Sequence, residues 1–365
     1  MVRKRRVLVA LSGGVDSAVA AALLQDAGHE VIGITMNVWP ELPDEAVVRA
    51  DACCSLASVE DARQVATVLD IPYYVLNLKH VFADRVIDNF YDEYARGRTP
   101  NPCVRCNQFI KFDALWLKAQ ALQCEAIATG HYARIVHDDA ADRYVLARGL
   151  DQQKDQSYVL YTLDNAHLSR TLMPIGEHHK HEVRALARSF GLPVADKAES
   201  QEICFVHAGA YHEYVGRARP SALQPGPMVD EHGAVVGTHR GIGAYTIGQR
   251  KGLGLATAEP TFVARIDPAK NLLVVGPERL LYAREVLADD LHLTSVQSIE
   301  QGRRVQAKIR SRAEPAPAIV TDCDGQSVAI RFEQPQRAIT PGQALVLYDG
   351  DVVLGGGTIV AGTAE

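Results

Sequence analysis

The feature that most constrains this chain is the string Leu11-Ser12-Gly13-Gly14-Val15-Asp16-Ser17, which follows an apolar strand pattern at residues 6–10 and leads into a helical pattern at 17–27. Two glycines let the backbone turn sharply and approach a ligand closely. The helix start then offers unbonded N–H groups and the positive end of the helix dipole to an anion. Ser12 and Ser17 can add hydroxyl donors, and the carboxylate Asp16 is expected to hold Mg2+ or to orient the loop. No lysine follows the glycines, so this is not the GxxxxGK[ST] phosphate loop. Gly-Gly alone would also suit an ordinary strand–turn–helix with a serine cap; the complete string at the first strand end is what argues for a nucleotide.

The alternation continues. Residues 31–36, 73–78 and 126–129 read as strands, and 58–69, 82–96 and 113–123 as helices. That order predicts an α/β fold with a parallel, Rossmann-like sheet covered on both faces and joined by right-handed crossovers. Ligands of such sheets sit beyond the carboxyl ends of the strands. Met36 and Gly130 end two strands on that rim, so they join Ala10, Leu11, Ser12, Gly13, Gly14, Val15, Asp16 and Ser17 as expected ATP-binding residues. After about Tyr214 the helical periodicity fades and Gly and Pro become frequent; from about Arg284 short strands alternate with turns at 305–309, 318–321, 328–332, 344–348 and 352–359. The expected organisation is a catalytic domain at 1–214, a small mixed middle domain at 215–283 and a C-terminal β-barrel at 284–365.

The formal net charge of -6 gives no global pull toward nucleic acid, so an RNA partner would need local basic patches. The basic start at Met1–Arg6 and the apolar run after it resemble a secretory signal, but Gly13, Gly14 and Asp16 interrupt the run. No stretch approaches the roughly 18 apolar residues of a membrane span. Seven cysteines, an odd number, sit at 53, 54, 103, 106, 124, 204 and 323, a pattern that fits reduced thiols in the cytoplasm. Cys124 and Cys323 fall in apolar contexts and are expected in the core; Cys53 and Cys54 read as local packing ahead of a helix.

The loop resembles the PP-loop of ATP pyrophosphatases, which split ATP between the α and β phosphates and adenylate a substrate. Such enzymes serve several chemistries, so the loop alone does not name the acceptor. TPNPCxxCN from Thr99, IKF from Ile110, ATGHYAR from Ala128, KDQSY from Lys154, SQEICF from Ser200 and YTIGQRKGLG from Tyr245 together resemble the bacterial tRNA-specific 2-thiouridylases over essentially the whole chain. The resemblance implies ATP and Mg2+ as cofactors and 2-thiolation of the wobble uridine (position 34) in the anticodon loop of Lys, Glu and Gln tRNAs. The products are 2-thiouridine, AMP and pyrophosphate. It implies Cys106 as nucleophile and Cys204 as persulfide carrier, with a Cys106–Cys204 disulfide closing the cycle. A cysteine desulfurase or sulfur-carrier protein supplies the persulfide, and a cytoplasmic monomer is expected. Thiolates need electropositive surroundings, and Arg105 and Lys111 are near in sequence.

By the same resemblance Asn101, Pro102 and Cys103 cup the flipped base, and His131, Lys154, Asp155, Gln156, Ser311, Arg312 and Gln343 contact tRNA. Lys308, Arg310 and Arg312 alternate, which on one strand would make a basic ridge for phosphates. Many relatives carry Asp where this chain has Cys103. The resulting C-x₂-C pair with Cys204 leaves open a zinc or iron–sulfur site, and with it the same thiolation routed through a cluster. A different PP-loop adenylating enzyme, needing no paired thiols, also remains open.

Overall fold

The computed structural model describes residues 4–38, 56–198, 204–206, 211–257 and 259–363. The chain divides into two units: Met1–Val86, Cys103–Phe205 and Asp351–Leu354 in the first, and Ile87–Pro102, Val206–Gly350 and Gly355–Glu365 in the second.

In the first unit, β1 (Arg6–Ala10) is buried at every position but Arg6, as expected of a strand covered on both faces. It pairs in parallel with β2 (Glu30–Asn37) and with β4 (Ala126–Ala128); β2 pairs with β3 (Tyr73–Asn77), and β4 with β7 (Thr171–Leu172). The order is β3-β2-β1-β4-β7, so it reverses between β1 and β4. That switch point is where an open parallel sheet leaves a crevice for a ligand. An antiparallel hairpin, β5 (Ala133–Asp138) with β6 (Arg143–Arg148), follows β4 and lay outside the predicted elements.

Helix α1 (Val15–Asp26) is rich in alanine, and Ala18, Ala20, Ala21 and Ala22 are each at most 2% exposed. Small side chains let its backbone lie close to the sheet. It ends where Gly28 takes φ +85 and donates to Gln25 O at 2.9 Å, while His29 donates to Leu24 O at 3.0 Å. Helix α2 (Leu56–Val68) packs on the same core through Ala62, Val65 and Ala66.

Two helical expectations change. Residues 82–96, expected as one helix, form an α-turn at Lys79–Phe82, a π-helix at Ala83–Ile87 and an α-helix at Asp88–Ala95. The helix expected at 113–123 begins at Pro102, running as α-helix Pro102–Arg105, π-helix Cys106–Ala114 and α-helix Leu115–Ala121. The TPNPC segment therefore enters the helix at its second proline, Pro102. Proline at the first helical position costs no hydrogen bond, because that N–H has no partner in any helix.

The second unit contains a four-stranded sheet of β8 (Gly226–Val229), β9 (Val235–His239), β10 (Phe262–Asp267) and β11 (Leu272–Gly276), in the order β10-β11-β8-β9. Met228, Val263, Leu273 and Val275 fill its core. Six strands follow: β12 (Tyr282–Leu293), β13 (Arg304–Lys308), β14 (Ala316–Cys323), β15 (Val328–Arg337), β16 (Ala344–Asp349) and β17 (Val352–Thr363). Their order is β12-β15-β14-β13-β16-β17, and pairing of β12 with β17 closes the barrel.

The expected basic ridge does not form. Strand β13 ends at Lys308, which is only 8% exposed. The chain then bends, with Ala313 N donating to Arg310 O at 3.1 Å. The Arg310 guanidinium turns inward to Ala338 O and Thr340 Oγ1, both at 2.8 Å, which leaves Ser311 and Arg312 exposed without it. Among the cysteines, Cys124 is 6% exposed and burial pushes its thiol pKa up, but Cys323, expected in the core, is only half-buried at the end of β14. Cys53 and Cys54 lie outside the described residues.

Candidate active site

The glycine loop sits at the β1 carboxyl end, as the sequence predicted. Leu11 N donates to Ile34 O at 2.8 Å and Thr35 Oγ1 to Leu11 O at 2.7 Å, which fixes the exit from the sheet beside β2. Ser17 Oγ reaches back over the turn to Ser12 N at 3.1 Å, Ser12 Oγ at 3.2 Å and Gly14 O at 3.1 Å. Gly13 has φ +68, and a Cβ there would lie 2.3 Å from Ser58 O, so the turn admits only glycine. Gly14 is the residue before α1 and has no side-chain cap, which leaves the first helical N–H groups toward the rim. Met36 is buried near the end of β2, which runs on to Asn37. Gly130 closes the rim from β4: a Cβ on it would lie 2.6 Å from both Asp16 C and Ser17 N.

Three residues around the loop were missed from sequence. Lys180, at the start of helix Lys180–Ser189, puts its ammonium 2.7 and 2.8 Å from the two carboxylate oxygens of Asp16. Tyr132 donates its hydroxyl to the same carboxylate at 2.9 Å. Lys197 donates to Gly13 O at 2.9 Å and pairs closely with Asp61 on α2. This loop, which lacks an internal lysine, is thus flanked by two ammonium groups brought from far along the chain. No local pattern in HHKHEV or VADKAE marks either one.

Asp16 is therefore engaged by a cation and a hydroxyl. Among the described residues no group of three or more His, Cys, Asp or Glu is placed to hold a metal ion.

The thiols belong to the same unit. Cys103 is exposed on helix Pro102–Arg105, and Cys106, half-buried, opens the π-helix. π-Helical turns recur at functional sites because they re-aim side chains that an α-helix would hold elsewhere. Asn107 beside it is 1% exposed, and its Nδ2 donates to Val159 O at 2.8 Å. Arg105 donates from Nη1 to Gln108 at 3.2 Å. Cys204 is half-buried, while residues 199–203 before it lie outside the described part.

Four of the ten residues expected to touch tRNA carry structural side-chain bonds. His131 is 6% exposed, with Nδ1 2.8 Å from Thr129 Oγ1 and its ring stacked on Phe112. Burial, and secondarily the Lys111 charge, hold its pKa well below the usual 6.5 and keep the ring neutral. Asp155 accepts from Gly149 N, Ser157 N and Ser157 Oγ, and Gln156 brackets Tyr132 through Oε1 and its own N–H. Lys154 is partly exposed beside them. In the second unit, Gln343 Nε2 donates to Thr99 O at 2.8 Å and Pro100 O at 3.3 Å. Gly342, at φ +91, lies so close to Thr99 that a Cβ would be 2.9 Å from its backbone. The turn at Thr340–Gln343 thereby holds the Thr99–Asn101 segment. Asn101 is partly exposed and Pro102 buried.

Comparison with known proteins gives these sites a family. Residues 5–208 match the model described as tRNA methyl transferase HUP domain, 212–277 the tRNA methyl transferase PRC-barrel domain and 283–359 the aminomethyltransferase beta-barrel domain. The tRNA-specific 2-thiouridylase MnmA of Acetivibrio thermocellus is 49% identical over 98% of this chain and 99% of its own length. The protein of the same name from Moorella thermoacetica is 52% identical over 96% and 98%. A solved 4-thiouridine synthetase–RNA complex with bound ATP aligns with 59% of this chain and 50% of its own at 18% identity and a TM-score of 0.35, too low to carry weight. With relatives of this identity matched from end to end, the chain belongs to the tRNA-specific 2-thiouridylase family.

Proposed function

We infer that this protein is an ATP-dependent tRNA-uridine 2-sulfurtransferase that thiolates the wobble uridine (position 34) by adenylation followed by persulfide transfer. The observation that carries the reading is the full-length identity to 2-thiouridylases, combined with a lysine-flanked glycine loop at the sheet's switch point. The matched domain models mention methyl transfer, but whole-chain relatives at 49–52% identity favour sulfur as the group moved.

ATP phosphates meet the loop N–H groups at α1, with Lys180 and Lys197 opposing the charge that develops on departing pyrophosphate. Mg2+ would screen the phosphate charge, and Asp16 is the carboxylate of the loop that would hold it. The uridine O2 attacks the α-phosphorus and pyrophosphate leaves, which turns a poor leaving group into AMP. The terminal sulfur of a Cys204 persulfide attacks C2 and AMP departs. The Cys106 thiolate then attacks the Cys204 sulfur, the S–S bond breaks, and sulfur stays on C2. The resulting Cys106–Cys204 disulfide needs a two-electron reductant.

His131, with Asp155 and Gln156, positions the strand end beside the loop. Asn101, Pro102, Cys103, His131, Lys154, Asp155, Gln156, Ser311, Arg312 and Gln343 remain the proposed tRNA-facing set, and Lys, Glu and Gln tRNAs the proposed substrates. A cytoplasmic monomer fed by a cysteine desulfurase or carrier completes the proposal. None of the described helices is long and apolar enough to cross a membrane.

The test is tRNA thiolation with ATP and a persulfide donor, comparing wild type with Cys106→Ser and Cys204→Ser. Both variants should bind tRNA and release pyrophosphate yet insert no sulfur. Normal thiolation by Cys204→Ser would sink the relay.

A further inference from the structure

We propose that Cys103 is a third working thiol, which takes over the disulfide left on Cys106 and presents it to solvent for reduction. The proposal rests on the two-thiol reading above and concerns how that cycle resets.

The three sulfurs differ in access. Cys103 is exposed, whereas Cys106 and Cys204 are both half-buried. An external reductant therefore reaches a Cys106–Cys204 bond poorly and Cys103 well. Cys103 and Cys106 are also one turn apart on consecutive helical residues, Pro102–Arg105 and Cys106–Ala114. A helix of 1.5 Å rise and about 2.3 Å radius sets Cα atoms at i and i+3 about 5 Å apart, inside the roughly 4.4–6.8 Å that a disulfide spans. The Cβ atoms start about 5–6 Å apart, wider than the ~3.8 Å optimum. The helical turn must tighten to close the bond, which leaves the exposed Cys103 sulfur as the one a reductant reaches.

The exchange balances without an added oxidant. Cys103 loses its proton, and its thiolate attacks Cys106 Sγ. A Cys103–Cys106 bond forms, the Cys106–Cys204 bond breaks, and Cys204 leaves as thiolate to take up a proton. Cys204 is then ready to accept another sulfane sulfur. A dithiol reductant attacks the exposed Cys103 sulfur, releases Cys106 as thiolate, and closes its own disulfide, supplying two electrons and two protons. Relatives with Asp at this position would lack the exchange and would reduce Cys106–Cys204 directly.

Arg105 lies between the two cysteines, so trypsin separates their peptides unless a disulfide joins them. Full-length protein carrying persulfide is taken through one turnover with ATP and tRNA, without reductant and without oxygen. It is then acid-quenched, alkylated and mapped by mass. Wild type should show Cys103 joined to Cys106, and Cys103→Ser should show Cys106 joined to Cys204. With a dithiol present, Cys103→Ser and Cys103→Ala should lower the ratio of steady-state to first-turnover rate at least tenfold, a ratio that weaker tRNA binding alone would not move. Persistence of Cys106–Cys204 in wild type, or an unchanged ratio in both variants, overturns the proposal. Iron and acid-labile sulfide bound in proportion to Cys103 overturn it too. Sulfur transfer by wild type with no disulfide of either kind removes the two-thiol reading itself, and the exchange with it.

Discussion

Gly130→Ala tests the reading of the nucleotide site without touching any reactive atom. The added methyl carbon would sit 2.6 Å from Asp16 C and Ser17 N and 2.8 Å from Ser17 Cα, where ordinary contact begins at 3.4 Å. All three are backbone atoms, so no side-chain rotation relieves the clash. The end of β4 and the first turn of α1 must separate by about 0.8 Å, a gap comparable with the ~1 Å misplacements that cost about 100-fold in rate. That loss corresponds to about 2.7 kcal/mol of transition-state stabilisation. Overpacking at such a site costs about 1–3 kcal/mol in stability, which folded protein should survive at 25 °C. The assay is tRNA-dependent pyrophosphate release over a range of ATP, beside urea unfolding followed at Trp116. Gly28→Ala is the control: its φ is +85 but no atom lies within 4 Å of the new carbon. It should lose about 1 kcal/mol of stability and keep its rate. If Gly130→Ala turns over ATP within threefold of wild type, the rim is not where the reaction takes place.

Lys180→Met should leave Asp16 facing the phosphates unopposed, raising the KM for ATP at least tenfold and lowering stability by about 1–2 kcal/mol, since the pair is only partly exposed; steady-state kinetics and unfolding measure both. His131 has a folded pKa below its unfolded value, so the unfolded chain takes the proton first. Its contribution is fully present above about pH 6.5 and is lost as pH falls below that, by up to about 1.4 kcal/mol per unit. Urea unfolding from pH 5 to 7 should show this slope, and His131→Asn should flatten it. Gln343→Ala removes the donor to two backbone carbonyls of the Thr99–Pro100 segment, and at about 0.5–1.5 kcal/mol per bond the KM for tRNA should rise about tenfold.

The phosphate loop was legible because its function is local: turn, glycine and helix start lie within seven consecutive residues, and β1 was placed to the residue. Lys180 and Lys197 were not, because each is delivered by the fold from more than 160 residues away and looks in sequence like a solvated lysine. Period-two spacing from Lys308 to Arg312 misled because alternation does not ensure that a strand continues; the bend at Arg310 lets the guanidinium satisfy two acceptors inside the barrel unit. The helix start at Pro102 was missed, with a helix expected only from 113, and the π-helical turns at 83–87 and 106–114 have no sequence signature to read.

The KDQ turn bears on how loss-of-function variants should be interpreted. Asp155 braces Gly149 and Ser157, Gln156 clasps the Tyr132 backbone on both sides, and the Tyr132 hydroxyl ends on Asp16 in the phosphate loop. Gln156, whose motif suggests RNA contact, is thus joined by two hydrogen-bonded steps through Tyr132 to the Asp16 carboxylate of the glycine loop. A variant at Gln156 that thiolates poorly would not by itself reveal an RNA-binding defect. Its signature would already be visible in nucleotide affinity measured with no tRNA in the tube.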